Sequence, residues 1–470
     1  MPEFTDPLQD WLDGARAIAL PVSLPLADPE GSSLLCEQAL RVVPGQRWVC
    51  CAQWQGHTVL AKVFVADERL AIHLQRECDG SAALQAAGIE TPAVLAHGLS
   101  RCGRVGVVLQ AWLDDAQPLS QAWSNTAQQA HWMRELGHAM AIMHRAGLCQ
   151  QDMHRDNFLC AGERLWVIDA AAVESRVAPL PEQASVQNLA LLLAQWPLAG
   201  QAALRPLVDH YTAARALPVV PELLAVRTQQ AWRKRTQHFL EKTLRECTQF
   251  AVHQQRGRFA VWERDADNAD LQAFIDNPDA AMEHAERLKS GNSATVVRTR
   301  FGDKSVVIKR YNIKDKKRWL RRALKRSRAR NAWLSAWLLS YVGIDSPRPV
   351  CLLEHSRFGM NTRAWLVTEA IDGEPLEARH LAAQPALMAA VPQIIRLLAM
   401  AGISHGDMKA TNFMTHGDRL ALIDLDAMRW HRAARSAARA LRRDVDRFLR
   451  NWRDKTTIQR KFAEALKAWQ

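Results

Sequence analysis

The feature that most constrains this chain is that its second half repeats the motifs of its first half in the same order. The first half contains HTVLAKVF, GIETP, VVLQAWL, QQDMHRDNFL and LWVIDAAA, and the second contains KSVVIKRY, GIDSP, LVTEAID, HGDMKATNFM and LALIDLDA. In each half an Asp is followed after five residues by an Asn and after seventeen by another Asp: Asp152, Asn157 and Asp169, then Asp407, Asn412 and Asp424. The offset of 255 residues is too long for a solenoid repeat and indicates a duplicated domain.

Both copies predict the same order of secondary structure. A strand that contains a Lys is followed by a helix, further strands, a second helix that ends at a Gly, a polar loop and a short strand ending in Asp. Strands first and helices later predict an α+β domain with a small β-rich N-lobe and a larger helical C-lobe. The segment ATVVRTRF is predicted to be the first strand of the second copy.

The chain has no linker of Gly and Ser between its halves, so the boundary is placed near residue 248. This gives a first domain at 1–248, with lobes at about 36–115 and 116–248. The second domain is expected at 249–470, with lobes at about 285–372 and 373–470. A chain of 470 residues is also too long for one hydrophobic core, as two domains require.

Several classes of protein are disfavoured by composition. No stretch approaches the roughly 18 uninterrupted apolar residues of a transmembrane helix. The N-terminus lacks the basic and apolar regions of a secretory signal. The nine cysteines are irregularly spaced without a CxxC pair, so zinc sites and disulfides are not expected. A cytoplasmic protein with reduced thiols is expected, and peripheral association with the inner face of the cytoplasmic membrane stays open.

The repeated polar residues are those that phosphoryl transfer from ATP requires. In the kinase fold, a strand Lys binds phosphates, a helix Glu orients that Lys, a loop Asp lies near the attacking hydroxyl, and an Asn and a second Asp hold Mg²⁺. The first copy contains the complete set: Lys62, Glu77, Asp152, Asn157 and Asp169. Its loop reads QQD where kinases usually have HRD, and His154 stands two residues after the Asp.

The second copy matches the kinase pattern more closely in its loop and less closely in its helix. Its set is Lys309, Asp407, Lys409, Asn412 and Asp424, with His405 at the start of the loop. The position that corresponds to Glu77 is Ala332, and no acid occurs from residue 316 to 344. The second copy is therefore expected to hold its Lys differently or to be catalytically weak.

Neither copy has a complete GxGxxG motif. Gly45 in VVPGQRW and Gly291 in SGNSA are candidates for degenerate phosphate loops, which would bind through backbone N–H groups. Other interpretations stay open: a lone Asp-Asn loop is usually turn chemistry, and a Lys in an apolar strand can protect a sheet edge. The matched spacings of the two copies favour a nucleotide site in at least one of them.

The motifs VVIKRYN, RARNAWLSAWLLSYVGIDSPRPV, HGDMKATNF and ALIDLDAM resemble the bacterial lipopolysaccharide core kinase family, the Kdo kinase, WaaP and InaA group. The first copy is similar to the same family through RECDGSAALQAAGIETP and DMHRDNFLC. The resemblance implies a cytoplasmic, ATP- and Mg²⁺-dependent kinase of heptose or Kdo on a lipid-anchored acceptor. It implies that Asp152 and Asp407 are catalytic bases. A tandem chain departs from the usual single domain, so one half is a candidate for an inactive domain.

The positive charge is concentrated in residues 309–330, which contain twelve Lys or Arg and one acid. An anionic membrane surface would attract such a segment, and Trp319, Trp333 and Trp337 suit a membrane interface. The competing interpretation is a solvated charged helix whose Trp side chains face the core. Nucleic acid is a less favoured partner, because no nucleic-acid-binding pattern accompanies the run.

Three functional hypotheses remain from the sequence. The first is a kinase of the lipopolysaccharide core, the second a kinase of a protein or a small polar molecule. The third is a pseudokinase scaffold that binds other core-assembly enzymes.

Overall fold

The computed structural model describes residues 7–15, 17–27, 32–255, 257–291, 294–312, 326–357 and 360–469. The chain forms two compact units, one of residues 1–196 and 200–232 and the other of residues 197–199 and 233–470. Residue 248, the boundary proposed from sequence, lies within the second unit, just before its sheet begins at Phe250.

The first part of the chain, up to residue 242, contains eleven strands and eight helices among its described residues. The strands are β1 Val22–Pro25, β2 Ser33–Val43, β3 Arg47–Trp54, β4 His57–Val65, β5 Val94–Leu99, β6 Val105–Ala111, β7 Gln117–Pro118, β8 Leu148–Gln150, β9 Phe158–Ala161, β10 Arg164–Val167 and β11 Val173–Ser175. The helices are α1 Pro7–Leu12, α2 Leu70–Ala86, α3 Leu119–Ala122, α4 Gln129–Arg145, α5 Glu182–Leu193, α6 Leu198–Gln201, α7 Arg205–Arg215 and α8 Pro221–Lys242.

The second part repeats this order with additions at its start. The strands are β12 Phe250–Gln255, β13 Arg258–Glu263, β14 Glu286–Ser290, β15 Ala294–Phe301, β16 Lys304–Tyr311, β17 Pro349–Arg357, β18 Met360–Glu369, β19 Ile403–Ser404, β20 Phe413–His416, β21 Arg419–Leu422 and β22 Arg429–Trp430. The helices are α9 Ala269–Asp276, α10 Ala280–Glu283, α11 Arg328–Val342, α12 Ala378–Ala383, α13 Ala386–Ala401, α14 Ala434–Arg450 and α15 Thr456–Ala465.

The two large sheets share a common arrangement of five strands. The first has the order β1-β2-β3-β4-β6-β5 and the second β12-β13-β17-β18-β16-β15-β14. Both contain the same antiparallel five-strand arrangement, β2-β3-β4-β6-β5 in one and β14-β15-β16-β18-β17 in the other. Lys62 on β4 pairs with Val108 on β6, and Lys309 on β16 pairs with Leu366 on β18. The duplication inferred from sequence is therefore a duplication of structure.

Each unit adds strands outside this common arrangement. In the first, β1 joins the sheet, and the fully buried Trp11 of α1 packs into its core with Leu8. In the second, the β12–β13 hairpin pairs with β17, at the edge of the sheet opposite β14. The prediction that ATVVRTRF is the first strand is wrong, since three strands precede it. The strand β14 escaped detection because all five of its residues are exposed, so it shows no apolar alternation.

The helical lobes follow the sheets, as predicted. The helix α4 is amphipathic and buries Trp132, Leu136 and Met140 in a core of apolar side chains. The helix α13 ends at Gly402, whose φ of 71° is the left-handed conformation that a helix C-terminus favours. No helix in the described part of the chain combines the length and apolar character that crossing a membrane requires. The α+β architecture of small sheet lobe and helical lobe is confirmed in both units.

Candidate active sites

In the first unit, the predicted Lys and Glu form a buried ion pair. Lys62 Nζ lies 2.8 and 2.7 Å from the two carboxylate oxygens of Glu77, which projects from α2. The Glu77 side chain is 1% exposed and that of Lys62 12%. Asp169 lies 3.9 Å from the same Nζ. The strand, the helix and the segment after β10 thus bring the three predicted residues together.

In the second unit, Lys309 has different partners. Its Nζ lies 2.7 Å from Asp424 Oδ1 and 3.0 Å from both carboxylate oxygens of Asp426. The helix position that corresponds to Glu77 is the buried Ala332, as the sequence indicated. Asp426, two residues after the predicted Mg²⁺ ligand, supplies the carboxylate instead.

Asp426 was not among the site residues predicted from the sequence. Its side chain is 8% exposed and also accepts hydrogen bonds from Tyr311 Oη at 2.7 Å and from Arg328 Nη2 at 2.6 Å. Burial, followed by the Asp426 charge, raises the pKa of Tyr311 well above its usual value. The position two residues after Asp169 in the first unit is Ala171. The acidic pair in IDLDA, against IDAAA, was the signal available in the sequence.

The two Asp-x₄-Asn loops are closed by the same hydrogen bond. Asn157 Nδ2 donates to the Asp152 carbonyl oxygen at 2.7 Å, and Asn412 Nδ2 donates to that of Asp407 at 2.8 Å. Each bond closes the loop and leaves the amide Oδ1 of the Asn for another ligand.

The second Asp of each copy has an unusual backbone conformation. Asp169 has φ 60° and ψ 52°, and Asp424 has φ 58° and ψ 55°, both in the left-handed region. Each lies two residues beyond its strand, β10 or β21, rather than at the strand's end. A non-glycine residue held there is uncommon and is often found at functional sites.

The two loop Asp residues differ in their surroundings. Asp407 forms ion pairs with Lys409, at 2.8 Å, and with Arg447 of α14. Burial opposes ionisation of Asp407, but the hydrogen bonds from Lys409 and Arg447 outweigh it and lower its pKa. Asp152 is exposed, and its carboxylate has no hydrogen bond or ion pair within the described residues.

The start of each loop is anchored from the helix that follows. In the second unit the buried Asp444 of α14 accepts the backbone N–H groups of His405, at 2.7 Å, and Gly406, at 3.0 Å. Burial raises the pKa of Asp444. The ring of His405 lies 3.0 Å from the Ile423 carbonyl oxygen, which ties the loop to the segment carrying Asp424.

The first unit makes weaker versions of these contacts. Gln150 replaces the His, and its Nε2 lies 3.5 Å from the Asp169 carbonyl oxygen. Its Oε1 is buried without a hydrogen-bond partner in the described residues. Asn188 of α5 stands near the place of Asp444 but donates to the Gln150 carbonyl oxygen at 2.6 Å. His154, at the position of Lys409, accepts the Asp156 N–H at 3.2 Å, so it hydrogen-bonds its own loop.

The candidate phosphate loops lie between paired strands, β2 and β3 in one unit and β14 and β15 in the other, but their glycine N–H groups already donate hydrogen bonds. The Gly45 N–H donates to the Trp11 carbonyl oxygen at 3.1 Å, and the Gly291 N–H donates to that of Ala294 at 3.1 Å. In this arrangement, neither amide is available to a phosphate. The structure therefore argues against these two glycines as direct phosphate ligands.

The predicted metal ligands have suitable chemistry for Mg²⁺. Asn157 with Asp169, and Asn412 with Asp424, offer one amide oxygen and one carboxylate in each unit. Mg²⁺ prefers oxygen ligands and is commonly held by one or two carboxylates together with substrate phosphates and water. Burial opposes ionisation of Asp424, but the charge and hydrogen bond of Lys309 outweigh it and lower its pKa.

Most of the basic segment, residues 313–325 with Trp319, lies outside the described residues. Trp333 and Trp337 of α11 are 0% and 5% exposed and pack against Phe250. Trp333 Nε1 also donates to the Thr243 carbonyl oxygen at 3.1 Å. Their suggested place at a membrane interface is wrong, because they belong to the core.

Each unit contains a five-stranded antiparallel arrangement with an ion-paired Lys, an Asp-x₄-Asn loop, and a second Asp seventeen residues after the Asp of that loop. This combination defines a protein-kinase-like fold, which is present here twice. The model of the lipopolysaccharide kinase (Kdo/WaaP) family matches residues 71–204 and 279–469. The match covers more than half of the chain and falls in both units, and the chain belongs to this family.

Among solved structures, the chain is similar to WaaP in complex with acyl carrier protein, with 20% sequence identity and a TM-score of 0.31. That match covers 42% of this chain and 88% of the other. The BubR1 kinase domain matches with 13% identity and a TM-score of 0.26, over 34% of this chain and 52% of that one. No curated protein matches the chain.

Proposed function

We propose that the chain is an ATP-dependent kinase that phosphorylates a hydroxyl of an inner-core sugar, heptose or Kdo, of lipopolysaccharide at the cytoplasmic face of the membrane. The observation that carries this is the ion-paired Lys beside a left-handed Asp in each unit. Lys62 lies 3.9 Å from Asp169, and Lys309 lies 2.7 Å from Asp424. Membership of a lipopolysaccharide kinase family supports the choice of acceptor.

Each residue has a role that follows from its position. Lys62 and Lys309 are suited to bind the ATP phosphates, because each projects from a central strand with its charge oriented by a carboxylate. Asn157 with Asp169, and Asn412 with Asp424, would hold Mg²⁺, which neutralises phosphate charge during transfer. Asp407 is suited to accept the proton of the sugar hydroxyl.

Lys409 and Arg447 would keep Asp407 ionised and in place. Asp152 would act in the same way in the first unit, without such support. Nucleotide binding without efficient transfer is therefore a second candidate function for the first unit. The buried unpaired oxygen of Gln150 and the isolated Asp152 favour it.

The test is phosphate transfer from labelled ATP to lipopolysaccharide that lacks inner-core phosphate, with total protein and free sugars as competing acceptors. The full chain is compared with Asp152→Asn, Asp407→Asn and the double variant, which keep the size of the side chain. We expect Asp407→Asn to lose at least a hundredfold in rate, as removal of a general base does. The double variant should lose all transfer.

Two results would contradict the proposal. One is a double variant that transfers phosphate to lipopolysaccharide at the wild-type rate. The other is a wild-type protein that labels only protein or free sugar. A large loss in Asp152→Asn alone would show that the first unit carries the transfer, against the second candidate function.

A further inference from the structure

The helix α14 exposes an array of arginines along one face. Its sequence, ARSAARALRRDVDRFLR, is strongly amphipathic, and Leu441, Val445 and Phe448 on the opposite face are buried. At 100° per residue, its six arginines fall within an arc of about 140°. We call them the arginine face: Arg435, Arg439, Arg442, Arg443, Arg447 and Arg450, all exposed.

The arginine face is almost without acidic partners. Arg447 pairs with Asp407, and the other five make no ion pair or hydrogen bond within the described part of the chain. Asp446 is the one exposed acid of this helix, because Asp444 is buried beneath the loop. Like charges at this density repel one another, so an anionic ligand would relieve a cost present in the free protein.

The fold itself does not need these arginines. The corresponding helix of the first unit, α5, reads EQASVQNLALLL and contains no Lys or Arg. Both helices anchor the catalytic loop from their buried side, through Asn188 or Asp444. A helix can therefore anchor the loop without a basic face. We infer that the arginines of α14 have another role.

The face also ends at the candidate catalytic base. Arg447 contacts the Asp407 carboxylate, so a ligand lying along α14 would reach the atom that receives the acceptor's proton. Arg447 is 43% exposed and Asp407 25%, so solvent and an incoming acceptor have access to both. The planar guanidinium group matches phosphate and carboxylate geometry with paired hydrogen bonds.

We propose that the arginine face is the docking surface for the phosphate and carboxylate groups of the sugar-lipid acceptor, and that it leads the acceptor hydroxyl to Asp407. This rests on the proposed function and adds to it the surface that recognises the acceptor. A sugar lipid with several anionic groups matches a row of cations spaced by one helical turn, about 5.4 Å.

The test is binding of the full chain to lipid vesicles in the absence of ATP. One set is phosphatidylcholine with deep-rough lipopolysaccharide, and the other is phosphatidylcholine with phosphatidylglycerol at equal surface charge. The variant is Arg439→Gln with Arg443→Gln and Arg450→Gln, which leaves the Arg447 contact intact. The matched control is Arg460→Gln with Lys461→Gln and Lys467→Gln, three exposed cations nearer the C-terminus.

We expect the arginine-face variant to bind lipopolysaccharide vesicles at least tenfold more weakly, because it loses three cations that would lie against the anionic surface. The control should stay within about twofold of wild type, and phosphatidylglycerol vesicles should bind more weakly than lipopolysaccharide vesicles. Equal losses in variant and control would overturn the inference. So would phosphatidylglycerol binding that is as strong and as sensitive, which would assign the face to any anionic membrane. Duplex DNA that displaces the protein from lipopolysaccharide vesicles stoichiometrically would overturn it as well.

The kinase proposal can fail separately. If binding depends on the arginine face but no phosphate is transferred, docking stands and the kinase proposal fails. If transfer occurs with an unchanged KM for lipopolysaccharide in the arginine-face variant, the kinase proposal stands and docking is wrong. When both are right, the variant raises that KM and leaves the affinity for ATP unchanged.

Discussion

The strand lysines of the two units occupy equivalent places but are paired with carboxylates from different elements. Lys62 is paired with Glu77 of the helix, and Ala171 stands two residues after Asp169. In the second unit this arrangement is exchanged. The helix carries Ala332, and the carboxylate comes from Asp426, two residues after Asp424.

In both units a carboxylate lies at the strand Lys, but the helix provides it in the first and the segment after β21 in the second. From sequence position alone, the second unit would be expected to lack the ion pair, because its helix has Ala332 in place of Glu77. In the structure, Lys309 is paired with Asp426 instead, and Asp426 also accepts hydrogen bonds from Tyr311 and Arg328. Arg328 is the first residue of α11, so this contact ties the second site to the N-terminus of that helix. Within the described part of the first unit, Glu77 makes no corresponding contact with an Arg.

The largest effect is expected from removing the Asp426 carboxylate. In a Lys62→Ala background, which silences the first unit, Asp426→Ala leaves Lys309 and Arg328 without their shared carboxylate. Breaking a buried ion pair by removing one partner typically costs about 3–5 kcal/mol. We expect a loss of tenfold or more in ATP affinity, measured by calorimetry, and a lower free energy of unfolding.

A second substitution that restores a carboxylate near Lys309 tests the comparison more specifically than the loss alone. Adding Ala332→Glu to Asp426→Ala rebuilds the first unit's arrangement in the second, and part of the lost ATP affinity should return. Asp418→Ala, an exposed acid of the same unit, is the control and should change neither quantity. If Asp426→Ala binds ATP as well as its parent, Lys309 does not depend on that carboxylate and the exchange has no functional meaning.

A smaller effect is expected from the close approach of Gly80, on the helix of the first unit, to the segment after Asp169. A Cβ added to Gly80 of α2 would overlap the Ala170 carbonyl oxygen, next to Asp169. The corresponding residue of α11 is Ser335, which already has a side chain. We expect Gly80→Ala to lower the free energy of unfolding by about 1–3 kcal/mol, as overpacking does, and to weaken the Lys62–Glu77 pair.

Chemical denaturation of the full chain measures this effect, with Ser335→Ala as the counterpart in the second unit. A further control is Gly98→Ala, since a Cβ on Gly98 meets nothing within 4 Å. Both controls should change stability by less than about 1 kcal/mol. A Gly80→Ala variant as stable as wild type would show that α2 can move away from Ala170 without cost.

Much of the fold could be predicted because the two halves of the chain repeat the same motifs and can be compared with each other. Matched spacings fixed the order of strands, helices and loops in both halves, and this order and the family are confirmed. The Lys62–Glu77 pair was predictable because both residues occur in recognised patterns. Their proposed roles in binding and catalysis stay predictions.

What could not be predicted depends on contacts between residues distant in sequence. Asp426 lies 117 residues from Lys309, and its local pattern is only a second acid after a recognised one. The β12–β13 hairpin was missed because it has no counterpart in the first copy. The basic character of α14 was overlooked beside the denser run at 309–330, although residues 429–453 contain nine Arg and two Asp. Only the fold places these arginines on one face that reaches Asp407.

The smallest expected effect concerns the loop Asp residues, which differ in their cationic neighbours. Lys409 and Arg447 lower the pKa of Asp407 against the effect of burial, whereas Asp152 has no such neighbours in the described residues. Because the folded pKa is lowered, the stabilisation that these cations provide is present above the pKa of the unfolded chain. It is lost as the pH falls through the lower, folded value.

Replacing Arg447 by Gln should therefore raise the pKa of Asp407 and move the acid limb of phosphate transfer to higher pH, in an Asp152→Asn background. The shift should be modest, because solvent screens a pair whose side chains are 43% and 25% exposed. Arg442→Gln, on the same helix but without contact to Asp407, is the control and should leave the acid limb in place. An unchanged acid limb in Arg447→Gln would mean that Lys409 alone holds Asp407 ionised, so the second unit would differ from the first by one cation at its base rather than two.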